Sequence, residues 1–450
     1  MNERDDSGEQ ETLWFGTARR RITPTVPVSL SGYFNVRMWD AVLDDIWAQA
    51  LLLRQGRRMT AIVQLDLLYA TAELCRAVRD SIRDISGLDP RTLVLAASHT
   101  HTAPETRLSH KGSNQAYNAF LVRAVADAIR EAAATLRPGT FLHGRAKDDR
   151  FAFNRRCWMT SGRVVTNPPR RDPGIVRPEG PIDPEIGLLG IRSDGKLAVL
   201  LVNISNHADT IGGNGVSGDW PGFLRRRLED QLGAVILPLI GASGNINHFD
   251  LSKDINQTRY PEAQRIGEGY AETVIAAVAN MVVSNSQNLR TAHTVFRTGP
   301  REIPPEDIAL AQEHSRRYEF IADHDLTAED LAKNSPAVLK YFADELLKVA
   351  ADRAERRYET VAMLLGETVL VSLPGEPFVE IGLRIKQEMT SGRPTLVVAH
   401  ANGAAGYIPN RFNFGRGGYE TTPASAPNSV ETADRMLEAV QMLLRRLLRQ

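Results

Sequence analysis

The chain has 450 residues, 42% of them hydrophobic and 24% charged, with 54 basic against 54 acidic side chains. This is the make-up of a soluble globular protein, and its neutral balance speaks against nucleic acid or an anionic membrane as partner. The 2 cysteines, Cys75 and Cys157, form no CxxC pair, which argues against both a disulfide scaffold and a thiolate metal site.

Residues 1–12 are polar and acidic and read as a disordered tail. They have neither the basic nor the apolar region of a signal peptide, and no later apolar run reaches the length of a membrane span. A cytoplasmic location is therefore expected. Buried strands are predicted over 48–53 and 60–68, rich in Leu, Ile and Val, and an amphipathic helix over 70–85. A short apolar strand follows over 92–97, then an Ala-rich helix over 114–136. Strands over 186–191 and 197–204 are joined by the turn Ser193-Asp194-Gly195. A helix over 220–232 carries Pro221 in its first turn. A strand over 234–240 and a long helix over 262–283 come next.

Residues 300–356 change character, with many charges and few strand signals. Helices are predicted there over 304–317 and 337–353, as a small helical insertion. Strands return over 361–364 and 369–373, followed by a helix over 376–389 and a strand over 395–400. A Gly/Asn-rich loop covers 401–428, and a helix with a strong apolar stripe spans 430–448. Strands interleaved with helices predict an α/β fold: a mixed or largely parallel sheet with flanking helices, residues 13–450 forming one unit. In such folds ligand sites gather beyond the carboxyl ends of the strands.

Five predicted strands end in polar or Gly-rich loops, each with a residue able to bind a metal through N or O. The first reads Ser98-His99-Thr100-His101-Thr102-Ala103-Pro104. The others carry His207, then Asn247 and His248, then Pro374-Gly375-Glu376, then the loop from Asn402 to Tyr407. Imidazole and carboxylate in a small cage with one open position suit zinc. One strand-end histidine alone is weak evidence, but His99 and His207 fall into a joint pattern; His400 is a borderline case. The Gly-rich stretches 212–215 and 415–418 do not have phosphate-loop spacing.

The string from His99 to Pro104 resembles the His-Thr-His signature of neutral and alkaline, non-lysosomal ceramidases. Further similar segments are Arg21-Ile22-Thr23-Pro24, Leu30-Ser31-Gly32-Tyr33, Gln64-Leu65-Asp66-Leu67, Phe153-Asn154-Arg155, Val216-Ser217-Gly218-Asp219 and Pro374-Gly375-Glu376. They keep one order over about residues 14–420. The resemblance implies a zinc ion held by His99, His207, Glu376 and Tyr407. It also implies that His101 lies by the reacting carbonyl, that Arg155 helps bind substrate, and that Tyr419 lines the same site. Two departures stand out. Asn247 occupies the place of a serine to which ceramidases assign a catalytic role, and the chain has no room for their C-terminal β-domain.

The resemblance and the residues together predict a zinc-dependent hydrolase that cleaves an amide carbon–nitrogen bond with a metal-activated water. His101 and Tyr419 are expected to serve the developing oxyanion or the leaving amine, and Asn247 with His248 to shape the leaving-group side. Asp66 and Asp219 are candidates for orienting the ligand imidazoles, with a structural role as the alternative. A small soluble N-acyl compound is the expected substrate. The alternatives are an ester or lactone hydrolase with the same zinc site, a true ceramidase, and a silent binding homologue.

Overall fold

The structure is a computed structural model that describes residues 12–34, 36–108, 112–321, 326, 330 and 333–449. Of the tail expected over 1–12, residues 1–11 lie outside the described residues.

The larger sheet is built from β1 (Leu13–Arg21), β2 (Trp47–Gln55), β3 (Arg58–Leu65), β4 (Val94–Ala97), β5 (Arg137–Lys147), β6 (Glu185–Ser193), β7 (Lys196–Ile204) and β8 (Val235–Ile240). Its spatial order is β8-β7-β6-β5-β1-β2-β3-β4, and the short strand Val282–Val283 pairs with β5. The inner neighbours run antiparallel, whereas β3 with β4 and β7 with β8 run parallel. A second sheet has the order β9-β10-β11-β12, from Leu289–Thr298, Arg356–Leu365, Thr368–Ser372 and Thr395–Val398. Only its last pair, β11 with β12, is parallel. The sheet system is thus mixed.

Residues of both sheets share one core, in which Leu51, Leu53, Ile62 and Leu201 meet Val361, Met363, Leu370 and Val398. The sheets therefore pack face to face. Strand alternation sends the other residues outward: Ala48, Ala50 and Leu52 of β2 join a core under α1 (Ala72–Ser81) and α2 (Gln115–Ala134). The helices α3 (Asp219–Leu232) and α4 (Tyr260–Val278) cover the other half of that face. Two further helices, α5 (Pro305–Arg317) and α6 (Pro336–Ala351), pack on each other within the charged segment 300–356. A final helix, Thr432–Leu448, lays Met436, Val440, Leu443 and Leu447 against the second sheet. The layers are helix, sheet, sheet, helix. Among the described residues no helix is long and apolar enough to cross a membrane.

Two predicted elements end differently. The helix expected over 376–389 begins only at Val379, because Glu376–Pro377 form a short strand paired with Tyr407–Ile408. Proline disfavours helical backbone in the residue before it, so Glu376 is held extended. The helix expected over 262–283 stops at Val278, and its last two expected residues pair with β5 instead.

Candidate metal centre

Parallel neighbours carry their carboxyl ends side by side, so the loops that follow them converge. The six strands in parallel pairs, β3, β4, β7, β8, β11 and β12, deliver the backbone and side chains of one buried cluster. His99 follows β4 in a left-handed backbone conformation, φ +61°, which non-glycine residues adopt only under local constraint. Its ring Nδ1 lies 3.0 Å from the carbonyl of Leu68, after β3. His207, after β7, places Nδ1 3.1 Å from the carbonyl of Ser243, after β8. A carbonyl only accepts, so both Nδ1 atoms are the donors, and in the neutral ring each Nε2 carries the lone pair. Those two Nε2 atoms stand 3.0 Å apart.

Glu376, after β11, completes the conflict. Its Oε2 lies 3.5 Å from each Nε2 and has no hydrogen-bond partner among the described residues. Three buried acceptors thus face one another with no proton to share. A cation between them resolves this: tetrahedral zinc with imidazole ligands spaces its donor atoms by ~3.3 Å. Burial alone would raise the Glu376 carboxyl, yet its positive surroundings, Arg155 among them, hold it at about 2, so it is an anion. Burial pushes the His207 imidazole well below its ordinary value, so the ring is neutral. These are the protonation states that metal ligands need.

Tyr407 stands beside Glu376 through the pairing of their short strands. Its hydroxyl oxygen accepts from an Arg155 guanidinium nitrogen at 3.0 Å. Burial and the neighbouring Glu376 hold the phenol well above its ordinary value, against the pull of Arg155. Arg155 also donates to the Gly244 carbonyl at 2.7 Å and to Glu420 at 2.8 Å. Glu420 accepts from Arg156 as well, at 2.8 Å, and from the Thr166 hydroxyl at 2.6 Å. Arg155, Arg156 and Glu420 are buried, and Arg156 pairs with Glu179 as well, so every charge of this second cluster is compensated.

His101 belongs to the first cluster, since its ligand atom lies within 4.8 Å of those of His99 and His207. Its Nδ1 donates to the carbonyl of Gly32 at 3.0 Å and lies 3.6 Å from the Asp209 carboxylate. Its Nε2 has no partner among the described residues. Burial drives this imidazole down to about 4, against Asp209. Tyr33 donates to the same Asp209 oxygen at 2.6 Å.

Tyr419 lies edge-on to Tyr407 at 5.7 Å between ring centroids and to Phe34 at 5.8 Å. Phe34 in turn touches Tyr341 and Phe342 of α6, so the charged segment 300–356 reaches the neighbourhood of Tyr419. Asn247 is buried, but its hydrogen bonds run to Asn167 and to the Phe249 backbone. His248 is held by the carbonyl of Gln257. Asp66 and Asp219 do not orient the ligand rings, because backbone carbonyls already do. Asp66 is paired with the buried Arg225 at 2.8 Å, and Asp219 accepts from the backbone of Thr210, Ile211 and Trp220.

Sequence reasoning left His400 as a borderline case and missed three other participants. His400 stacks on His99 with 3.9 Å between centroids, and neither of its ring nitrogens has a partner among the described residues. Tyr69 places its hydroxyl 3.5 Å from Glu376 Oε1. Asp209 and Glu420 are the other two. Asp209 stood two residues past His207, where a strand-end carboxylate was a signal; Glu420 had none beyond adjacency to Tyr419.

No family model matches the chain, and no curated protein matches it. Among solved structures, neutral ceramidase from Pseudomonas aeruginosa is similar, with a TM-score of 0.72 at 18% identity over 98% of this chain and 75% of that one. A ceramidase complexed with C2 gives a TM-score of 0.71 at 17% identity, over 97% of this chain and 76% of that one. The resemblance read in the motifs is thereby met in three dimensions: almost the entire chain has the fold of neutral ceramidase.

Proposed function

We propose that the protein is a zinc-dependent hydrolase that cuts the carbon–nitrogen bond of a small, soluble N-acyl compound. The carrying observation is the trio of buried acceptors, His99 Nε2, His207 Nε2 and Glu376 Oε2, facing one another at 3.0–3.5 Å. Tyr407 supplies a fourth oxygen at the same strand ends. Zinc, when bound, supplies a Lewis acid and lowers the pKa of water. The remaining steps belong to side chains. His101 is neutral, fixed through Nδ1 on Gly32, and bears a lone pair on a buried Nε2 without partner. It takes the proton of the attacking water and returns it to the departing amine, while the Asp209 carboxylate beside it stabilises the imidazolium in between. Tyr419, whose phenol burial keeps protonated, is a donor for the oxyanion. Arg155 fixes Tyr407 and is a positioning residue. The ring nitrogens of His101 and His400 that lack a partner among the described residues disfavour a ligand that leaves them unpaired, which supports a polar amide over ceramide.

The test is a side-by-side assay of zinc-loaded protein on a panel of soluble N-acyl compounds and on short-chain ceramide in detergent. Turnover within the soluble panel is expected. Turnover of ceramide alone contradicts the substrate assignment and leaves the metal centre standing. Hydrolysis of esters alone contradicts the assignment of the scissile bond.

A further inference from the structure

A cleft of about 700 Å³ opens between α1, the turn Pro90–Thr92 and strands β9 and β10, and none of the metal-centre residues lines it. Its walls are unusually rich in arginine. Arg76 and Arg79 stand three apart on α1 and share one face, and Arg83 lies just past the end of that helix. Arg91 and Arg357 come from the facing walls. Three carboxylates stand among them. Asp80 pairs with Arg83 at 2.6 Å, Asp89 with Arg91 at 2.9 Å and Glu359 with Arg79 at 2.6 Å. Among the described residues no carboxylate pairs with Arg76 or Arg357. The lining therefore carries two uncompensated positive charges.

Arg79 adds a second observation. Its side chain is 15% exposed, and its Nε and one terminal nitrogen are buried without any acceptor among the described residues. Buried guanidinium donors are ordinarily satisfied, and the acceptor that matches this planar fork best is a phosphate or carboxylate. The cleft has far more room than a bare phosphate needs, and Val295, Tyr358 and Pro90 give it apolar walls. The space suits an anionic head with a small organic body.

We infer that this cleft is a second binding site, separate from the metal centre, for a small phosphate monoester. The phosphate lies among Arg76, Arg79 and Arg357, and the organic part rests on Val295 and Tyr358. The back of the cleft is Asn402, whose side chain accepts from the Leu95 backbone at 2.8 Å and donates to the Leu93 carbonyl at 2.9 Å. A ligand there touches the loop that runs on to Tyr407, without entering the metal pocket.

The test is calorimetric titration of the full, zinc-loaded chain with glycerol 3-phosphate and, separately, with inorganic phosphate. Saturable binding that weakens with added salt is expected, tighter for the ester. Arg76→Gln and Arg357→Gln are exposed substitutions outside the catalytic machinery, and each is expected to weaken binding by roughly three- to tenfold. His99→Ala is expected to leave binding unchanged. Absence of binding at millimolar ligand, or binding that survives the double Arg76→Gln, Arg357→Gln variant, overturns the proposal. So does binding that disappears with His99→Ala, which places the anion on the metal. Equal affinity for the two probes overturns the ester assignment.

Discussion

On one side of Tyr407 lie His99, His207 and Glu376; on the other lie Arg155, Glu420 and Arg156. Both clusters are buried and both are made of ionisable groups, yet their bookkeeping is opposite. The guanidinium cluster closes on itself, with every Glu420 oxygen accepting from a positive or hydroxyl donor. The imidazole cluster does not close, because its ring donors are spent on the carbonyls of Leu68 and Ser243 and only acceptors remain at the centre. A cluster that is complete within the chain is scaffold. A cluster that is incomplete, at the spacing of metal ligands, leaves a place that a cation would complete.

The largest break of this comparison is His99→Ala. It removes one acceptor of the incomplete cluster, and metal and activity are expected to fall together to background, read by elemental analysis and amide turnover on the same sample. Stoichiometric metal in that variant contradicts the ligand assignment. Next is Glu420→Gln, which strips the charge from the complete cluster and leaves Arg155 buried without its anion, while Arg156 keeps its pairing with Glu179. Unfolding in denaturant should show a loss of about 3–5 kcal/mol, with metal still bound by the folded protein. A variant as stable as the parent shows that this cluster is not scaffold.

His101→Ala sharpens the division within the imidazole cluster. The rate is expected to fall by about 10²–10³ with zinc content unchanged, since a proton carrier is lost and a ligand is not. Loss of metal in His101→Ala moves it into the ligand set. The smallest effect is expected of Asn247→Ala. Its hydrogen bonds run to Asn167 and Phe249, so single-turnover rates should fall by less than about tenfold.

The two clusters were not equally legible in the sequence. The metal side follows from strand ends: short apolar runs such as Val94–Ala97 stop at a polar loop, and the parallel pairing gathers those loops. His400 was only a borderline case because its contact is a ring stack on His99 that no spacing announces. Glu420 was hidden because its partners Arg155 and Arg156 lie more than 260 positions away. Among the strands, β2, β3, β7 and β8 showed as continuous Leu/Ile/Val runs because both of their faces are buried. Strand β5 did not: its sequence carries Pro138, Gly139, Gly144 and several charges. Gly139 is there because a Cβ would come within 2.6–2.7 Å of Ile191 and Phe15, so tertiary packing and not strand propensity selects it. Proline also shifted the helix expected over 376–389, and the shift leaves Glu376 extended and paired with Tyr407.

The most direct test is the zinc stoichiometry of the metal-stripped chain, titrated beside His207→Ala. The account predicts one tightly bound zinc per chain in the parent and none at the same affinity in the variant. Equal zinc binding by the two proteins, or no tight site in the parent, contradicts the claim that these strand ends form a metal centre.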